Sequence, residues 1–169
     1  GPFGNWMAEW LHRGIMALCG FSPVLMGVLI GGLWQVLVSV GIHGIITVLA
    51  FADVLAGNSS PLLALSYSAS FAVSGVAFAV FMRSRNSGEK QTAKAGAVSA
   101  IMGATEPAMY ALIKPDKKRF ALCCAGGALG GATAGFFGIS MHAYAGMGIT
   151  GLFGFFQTGD VKLVGVLLM

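Results

Sequence analysis

Two ionisable side chains stand where the chain is otherwise apolar. Glu106 is the only acid between Ala95 and Ile113. A carboxylate in a hydrocarbon setting costs roughly 2.5 kcal/mol or more, so such groups normally face a cavity and mark a substrate or ion path. The bland alternative is a structural carboxyl, bonded to backbone groups freed by a local helix break. Gly103 and Pro107 flank it and are expected to break the helix there, and Thr105 lies beside it. His43 sits in Gly41-Ile42-His43-Gly44, which interrupts the apolar run from Pro23 to Ala56. Flanking glycines let backbone or ligand approach closely. A lone histidine is more often a satisfied core group, but paired with Glu106 it becomes a candidate substrate or proton contact. Gln35 lies eight residues earlier, about two helical turns, on a similar face, and is a third candidate. Asp53 falls near a membrane edge, and His12 and His142 read as interfacial.

Other chemistry has little support. Gly146-Met147-Gly148-Ile149-Thr150-Gly151 matches GxGxxG literally, but lacks a preceding strand and a later acid, and the chain has 26 glycines. Of three cysteines, Cys19 stands alone and Cys123 and Cys124 are adjacent, so no disulfide framework or zinc site is expected. The sequence calls for no metal and no cofactor.

Such groups must be carried by elements suited to lipid. Of 169 residues, 56% are hydrophobic and 9% charged. The mean hydropathy is +0.81. Disordered chains are polar and charged, and collagens repeat Gly-X-Y, so both are excluded. The expected class is an all-α integral membrane protein with transmembrane helices. Phe3, Trp6, Met7, Trp10 and Leu11 recur at helical spacing and predict an N-terminal amphipathic helix, on a membrane interface or on the protein itself. Ser22-Pro23 and Ser60-Pro61 read as helix starts. One span should run to about Val40, a shorter element to Ala56, and a further span from Pro61 to Met82. Asn58-Ser59-Ser60 fits a glycosylation sequon or a plain turn. Phe120 to Met141 is another expected span, with Gly127, Gly131 and Gly135 spaced for close helix contact. There is no initiator Met, and the apolar run from Val161 stops at Met169, so a piece of a longer protein is expected.

Eight of the ten basic residues fall in two clusters, Arg83, Arg85, Lys90, Lys94 and Lys114, Lys117, Lys118, Arg119. They lie between apolar runs, which suits positive-inside loops rather than nucleic acid. Crossing the membrane between them would leave one cluster outside. A re-entrant hairpin over about 95–119 keeps both inside, with Glu106 near its tip.

Gly103-Ala104-Thr105-Glu106-Pro107-Ala108-Met109-Tyr110 resembles the G-[IVA]-T-E-P-A-[IM]-Y motif of a known family. The family is the membrane IIC component of bacterial phosphoenolpyruvate-dependent phosphotransferase-system sugar permeases, in the β-glucoside, sucrose and trehalose branch of the glucose superfamily. Gly31-Gly32-Leu33-Trp34-Gln35-Val36-Leu37-Val38, then Gly41-Ile42-His43, is similar to that branch's G-G-L-W-Q-x-L-V and G-[LI]-H. Lys114-Pro115-Asp116-Lys117-Lys118-Arg119-Phe120 resembles its basic exit from the hairpin. Ala104 replaces the commoner Ile or Val, and Gly44 stands where His or Trp is frequent. The resemblance implies the C-terminal, sugar-binding half of a IIC domain over residues 1–169, in the bacterial cytoplasmic membrane. It implies a homodimer, IIB and IIA partner domains, and sugar phosphorylation by a IIB phosphocysteine, with no phosphoryl-carrying residue on this chain. Glu106 and His43 would then contact the sugar, with Thr105, Gly103, Pro107 and Gln35 around them. One of the two could also take the hydroxyl proton during phosphoryl transfer. The alternative is a fragment of a proton-coupled secondary transporter, using the same pair in a broken-helix site.

Overall fold

The computed structural model describes residues 20–57, 60–141, 146 and 148–158, with Trp6, Trp10, Arg13, Gly14 and Ala17 before them; at Asp53, 153–154 and 156–158 it describes the backbone alone. Glu9, His12, Cys19, Asn58, Ser59, His142 and the run from Val161 lie outside the described residues, as does most of the expected amphipathic helix. Trp6 and Trp10 are helical and exposed, with ring centroids 6.4 Å apart.

The described residues are almost entirely helical. α1 spans Pro23–Val40, α2 His43–Leu55 and α3 Pro61–Arg83. α4 spans Ser87–Ile101, α5 is the short Glu106–Ala108 running into a π-helical turn Met109–Ile113, and α6 spans Lys117–Phe136. A 3-10 segment, Ile149–Thr158, follows. Both expected starts hold. Ser22 Oγ accepts from Leu25 N–H at 3.3 Å and Ser60 Oγ from Leu63 N–H at 3.4 Å, each with proline in the first turn. α1 and α3 are long and apolar enough to cross a membrane. The glycine-rich α6 is not among the described helices that meet that measure.

Small residues set the packing. α1 and α6 run antiparallel in their closest contact, with Gly27 against Gly131, Gly31 against Gly127 and Pro23 against Gly135. The expected glycine face on α6 therefore meets a second one on α1. α3 lies beside both, joined by side chains that reach backbone. Ser68 Oγ donates to Gly127 O at 3.2 Å, and Ser74 Oγ to Ala97 O of α4 at 3.2 Å. Gly75 of α3 faces open space.

Several boundaries differ from expectation. α6 stops at Phe136, short of Met141, because Gly138 turns the chain with φ +58° and Met141 then pairs its backbone with Ser60. The hairpin's first limb starts at Ser87, eight residues before the expected Ala95, because Asn86 Oδ1 caps it from Gly88 and Glu89 N–H. Gly103, with φ +102°, makes the break at the tip. Pro107 does not break anything. It sits in the first turn of α5, where its missing N–H has no intrahelical partner to lose.

Candidate functional site

The hairpin of α4 and α5 brings Glu106 to His43. Its limbs pack closely, with Gly96 against Ala108. Its tip shares a cleft with Ser70, near the middle of α3. The return limb is fastened to the end of α1, where Val38 O also takes the Gly41 N–H. Tyr110 Oη donates to Val38 O at 3.2 Å and Lys114 Nζ to Ser39 O at 3.3 Å. The same end of α1 sets His43. Gly41, at φ +84°, closes the helix while Ile42 N–H donates to Leu37 O, and His43 opens α2 directly afterwards.

His43 Nε2 stands 3.8 Å from Glu106 Oε1. That is too long for a hydrogen bond. The carboxyl is half exposed and the imidazole about a quarter exposed. His43 Nδ1 is buried with no hydrogen-bond partner, and Trp34 presents its ring edge-on at 6.4 Å. The pair opens on a cleft of about 620 Å³. Small-ligand sites commonly enclose ~300–1,000 Å³. Gly103, Ala104, Thr105 and Glu106 form one wall, Trp34 and Val38 of α1 another, and His43, Gly44, Thr47 and Val48 a third. Ser70 of α3 and Gly146 and Thr150 of the glycine-rich segment complete it.

The candidates thus separate. Glu106, His43, Thr105 and Gly103 share one cleft, while Pro107 and Gln35 do not line it. Gln35 points the other way. It is buried between helices, its Nε2 donating to Ala69 O of α3 at 3.0 Å. Sequence reasoning missed Trp34, although it neighbours Gln35 and precedes Val38 by one turn. It also set aside the segment from Gly146 as a chance motif. Gly148, at φ +79°, packs on the backbone of Ile101 to Gly103 so closely that no side chain fits, and Tyr67 Oη donates to Gly148 O. This segment is a wall of the cleft, not a nucleotide loop.

The base of the hairpin is an ion cluster. Arg119 Nη2 meets Glu89 Oε1 at 2.8 Å, its Nε meets Asp116 Oδ2 at 3.1 Å, and its Nη1 donates to Leu112 O at 3.3 Å. Ser84 Oγ donates to Glu89 Oε2 at 2.5 Å. That bond, with Arg119, holds the Glu89 carboxyl below its ordinary range. Among the described residues no group of His, Cys, Asp and Glu could hold a metal ion.

The sequence model of the family described as "Phosphotransferase system, EIIC" matches residues 1–127, which include α1, α2, the whole hairpin and the start of α6. This chain belongs to that family. It is 32% identical over 160 residues to the "PTS system beta-glucoside-specific EIIBCA component" of Halalkalibacterium halodurans, covering 95% of this chain and 25% of that protein. It is 32% identical over 148 residues to the "PTS system sucrose-specific EIIBC component" of Klebsiella pneumoniae, covering 85% and 31%. A third relative is the "PTS system arbutin-, cellobiose-, and salicin-specific EIIBC component" of Escherichia coli, 29% identical over 151 residues, covering 88% and 31%. The chain thus spans between a quarter and a third of these relatives. No solved structure matches it. Family membership does not favour the proton-coupled alternative.

Proposed function

We propose that this chain is the sugar-binding half of a permease that carries a glucoside or related sugar across the bacterial cytoplasmic membrane, for phosphorylation by a IIB domain. The observation that carries this is the cleft in which an acceptor carboxylate, an imidazole and an indole converge. A hydroxyl oxygen lodged between Glu106 and His43 spans their 3.8 Å separation with one hydrogen bond to each. Glu106 accepts from sugar hydroxyls, His43 adds a second polar contact, and Thr105 and Thr150 supply hydroxyls at the edge. Trp34 and Val38 give the apolar wall that the carbon faces of a sugar ring need. A missing hydroxyl would leave a half-buried polar group unpaired, which is the basis of selectivity. Relatives named for β-glucosides, sucrose, arbutin, cellobiose and salicin favour a glucoside as the cargo.

The α4–α5 hairpin is then re-entrant, entering and leaving on the cytoplasmic side. Its base supports this, since the Arg119–Glu89 pair brings both basic clusters to one end, while the tip shares a cleft with Ser70, near the middle of α3. Positive-inside bias assigns that end to the cytoplasm. Broken backbone at that depth is tolerated because it lines a cavity and packs on protein. The exposed Trp6 and Trp10 suit an interfacial amphipathic helix.

The test is Glu106→Gln in the full permease. Hydrogen bonds to charged groups are worth about 1.5–3 kcal/mol, so sugar affinity should fall on the order of 10- to 100-fold. Binding and uptake at the wild-type level overturn the site.

A further inference from the structure

A second recess, of about 430 Å³, opens between α3 and α6 at the end that carries the basic clusters. Its inner wall is apolar, built from Val76, Ala79 and Val80 of α3 and Leu122 of α6. Its rim is charged, with Arg83, Arg85, Arg119 and Glu89. The charges at the rim are not equivalent. Arg119 is already engaged by Glu89, Asp116 and the Leu112 carbonyl. Arg83 and Arg85 are exposed and have no ion-pair or hydrogen-bond partner among the described residues. Two unneutralised guanidinium groups therefore stand at the lip of a groove that water gains little by filling. Leu122, on the α6 side of the recess, is 63% exposed.

A free anion would use the rim and leave the apolar wall wet. A neutral lipid tail would use the wall and leave two cations unpaired. A single molecule with a phosphate at one end and hydrocarbon at the other satisfies both. We propose that this recess binds an anionic phospholipid, its phosphate on Arg83 and Arg85 and an acyl chain along Val76, Ala79 and Leu122. The site lies outside the sugar cleft and rests on the reading of α3 and α6 as membrane helices. Guanidinium suits it better than ammonium, since it presents a planar fork of donors to phosphate oxygens. Lipid bound here bridges α3 to α6 beside the Arg119 cluster and so braces the base of the hairpin.

The test is native mass spectrometry of the full permease in mild detergent, titrated with dioleoyl phosphatidylglycerol or dioleoyl phosphatidylcholine. Each arginine near a lipid phosphate should contribute roughly fivefold, so wild type should retain phosphatidylglycerol on the order of 25-fold better. Arg83→Gln with Arg85→Gln should remove that preference. Arg83→Lys with Arg85→Lys should keep part of it, and Lys117→Gln with Lys118→Gln should keep all of it. Equal retention of both lipids by wild type overturns the proposal, as does a preference that survives the double glutamine change. Full displacement by an equal concentration of inorganic phosphate also overturns it, in favour of a free-phosphate site. Vesicle flotation of wild type separates the two readings. A permease that floats yet shows no preference loses only the lipid site, whereas one that does not float loses the membrane reading with it.

Discussion

Alanine in place of glycine should have opposite signs at two positions of this fold. A methyl group on Gly131 would sit 2.8 Å from the carbonyl carbon of Gly27 and nearer still to its oxygen. Those neighbours are backbone and cannot rotate away, so α1 and α6 must part by about 1 Å. A gap of that size forfeits about a quarter to a half of each dispersion contact across it. The loss is shared with the layers at Gly31–Gly127 and Pro23–Gly135, which lie on the same straight seam. Overpacking of this kind costs ~1–3 kcal/mol, and rigid neighbours put it in the upper half. Against this, alanine is favoured over glycine in a helix by ~0.8–1 kcal/mol. The net for Gly131→Ala is a destabilisation of ~1–2 kcal/mol. A methyl group on Gly75, mid-way along α3, meets nothing within 4 Å. Only the propensity gain remains there, so Gly75→Ala should stabilise by up to ~1 kcal/mol. Thermal unfolding of both variants in the same detergent reads the difference as a lower and a higher midpoint. Equal shifts, or a stabilised Gly131→Ala, would refute the reasoning that backbone contact at this seam holds α1 to α6.

Gln35→Ala removes the donor to Ala69 O and should cost ~1–3 kcal/mol of stability while leaving sugar affinity within twofold, measured by unfolding and by sugar binding on one sample. Tyr67→Phe leaves Gly148 O with the Gly151 N–H alone and loosens the wall that Tyr67 holds, so sugar affinity should fall by about fivefold, corresponding to one net hydrogen bond. Glu89 has its folded-state carboxyl pKa below the unfolded value, so its contribution is complete above the unfolded pKa and fades as pH falls through the folded one. The thermal midpoint of wild type should therefore fall on acidification through that window, and that of Glu89→Gln should show little such acid dependence.

Local signals in the sequence foretold where α1 and α3 start better than which helices meet. Ser22 and Ser60 cap helices because a hydroxyl before proline leaves the chain few other choices. Gly127, Gly131 and Gly135 announced a close contact, but their partners Gly27 and Gly31 lie some hundred residues away and carry no mark linking the two faces. The meeting of Glu106 with His43 was legible, since an isolated acid and an isolated imidazole in apolar runs both need a polar neighbour. Gln35 misled because a two-turn spacing fixes a face only within one straight helix. The turn at Gly41 separates it from His43, and α3 then claims its amide. Pro107 misled because proline breaks a helix only when it stands inside one. Gly146 to Thr150 was illegible because its role is to leave room. What matters at Gly148 is the absent side chain, and that shows only when the tip of the hairpin is set against it.

That contact also orders events at the ribosome. The glycine seam needs α6, and the last wall of the cleft needs Gly146 and Thr150, forty or more residues beyond Glu106. While those residues are still in the exit tunnel, the nascent chain can hold a hairpin but not a closed binding cleft. The enclosure is therefore completed only after Thr150 is made, and on the proposed function a chain released before Gly146 should carry both members of the Glu106–His43 pair without the enclosure that makes them selective.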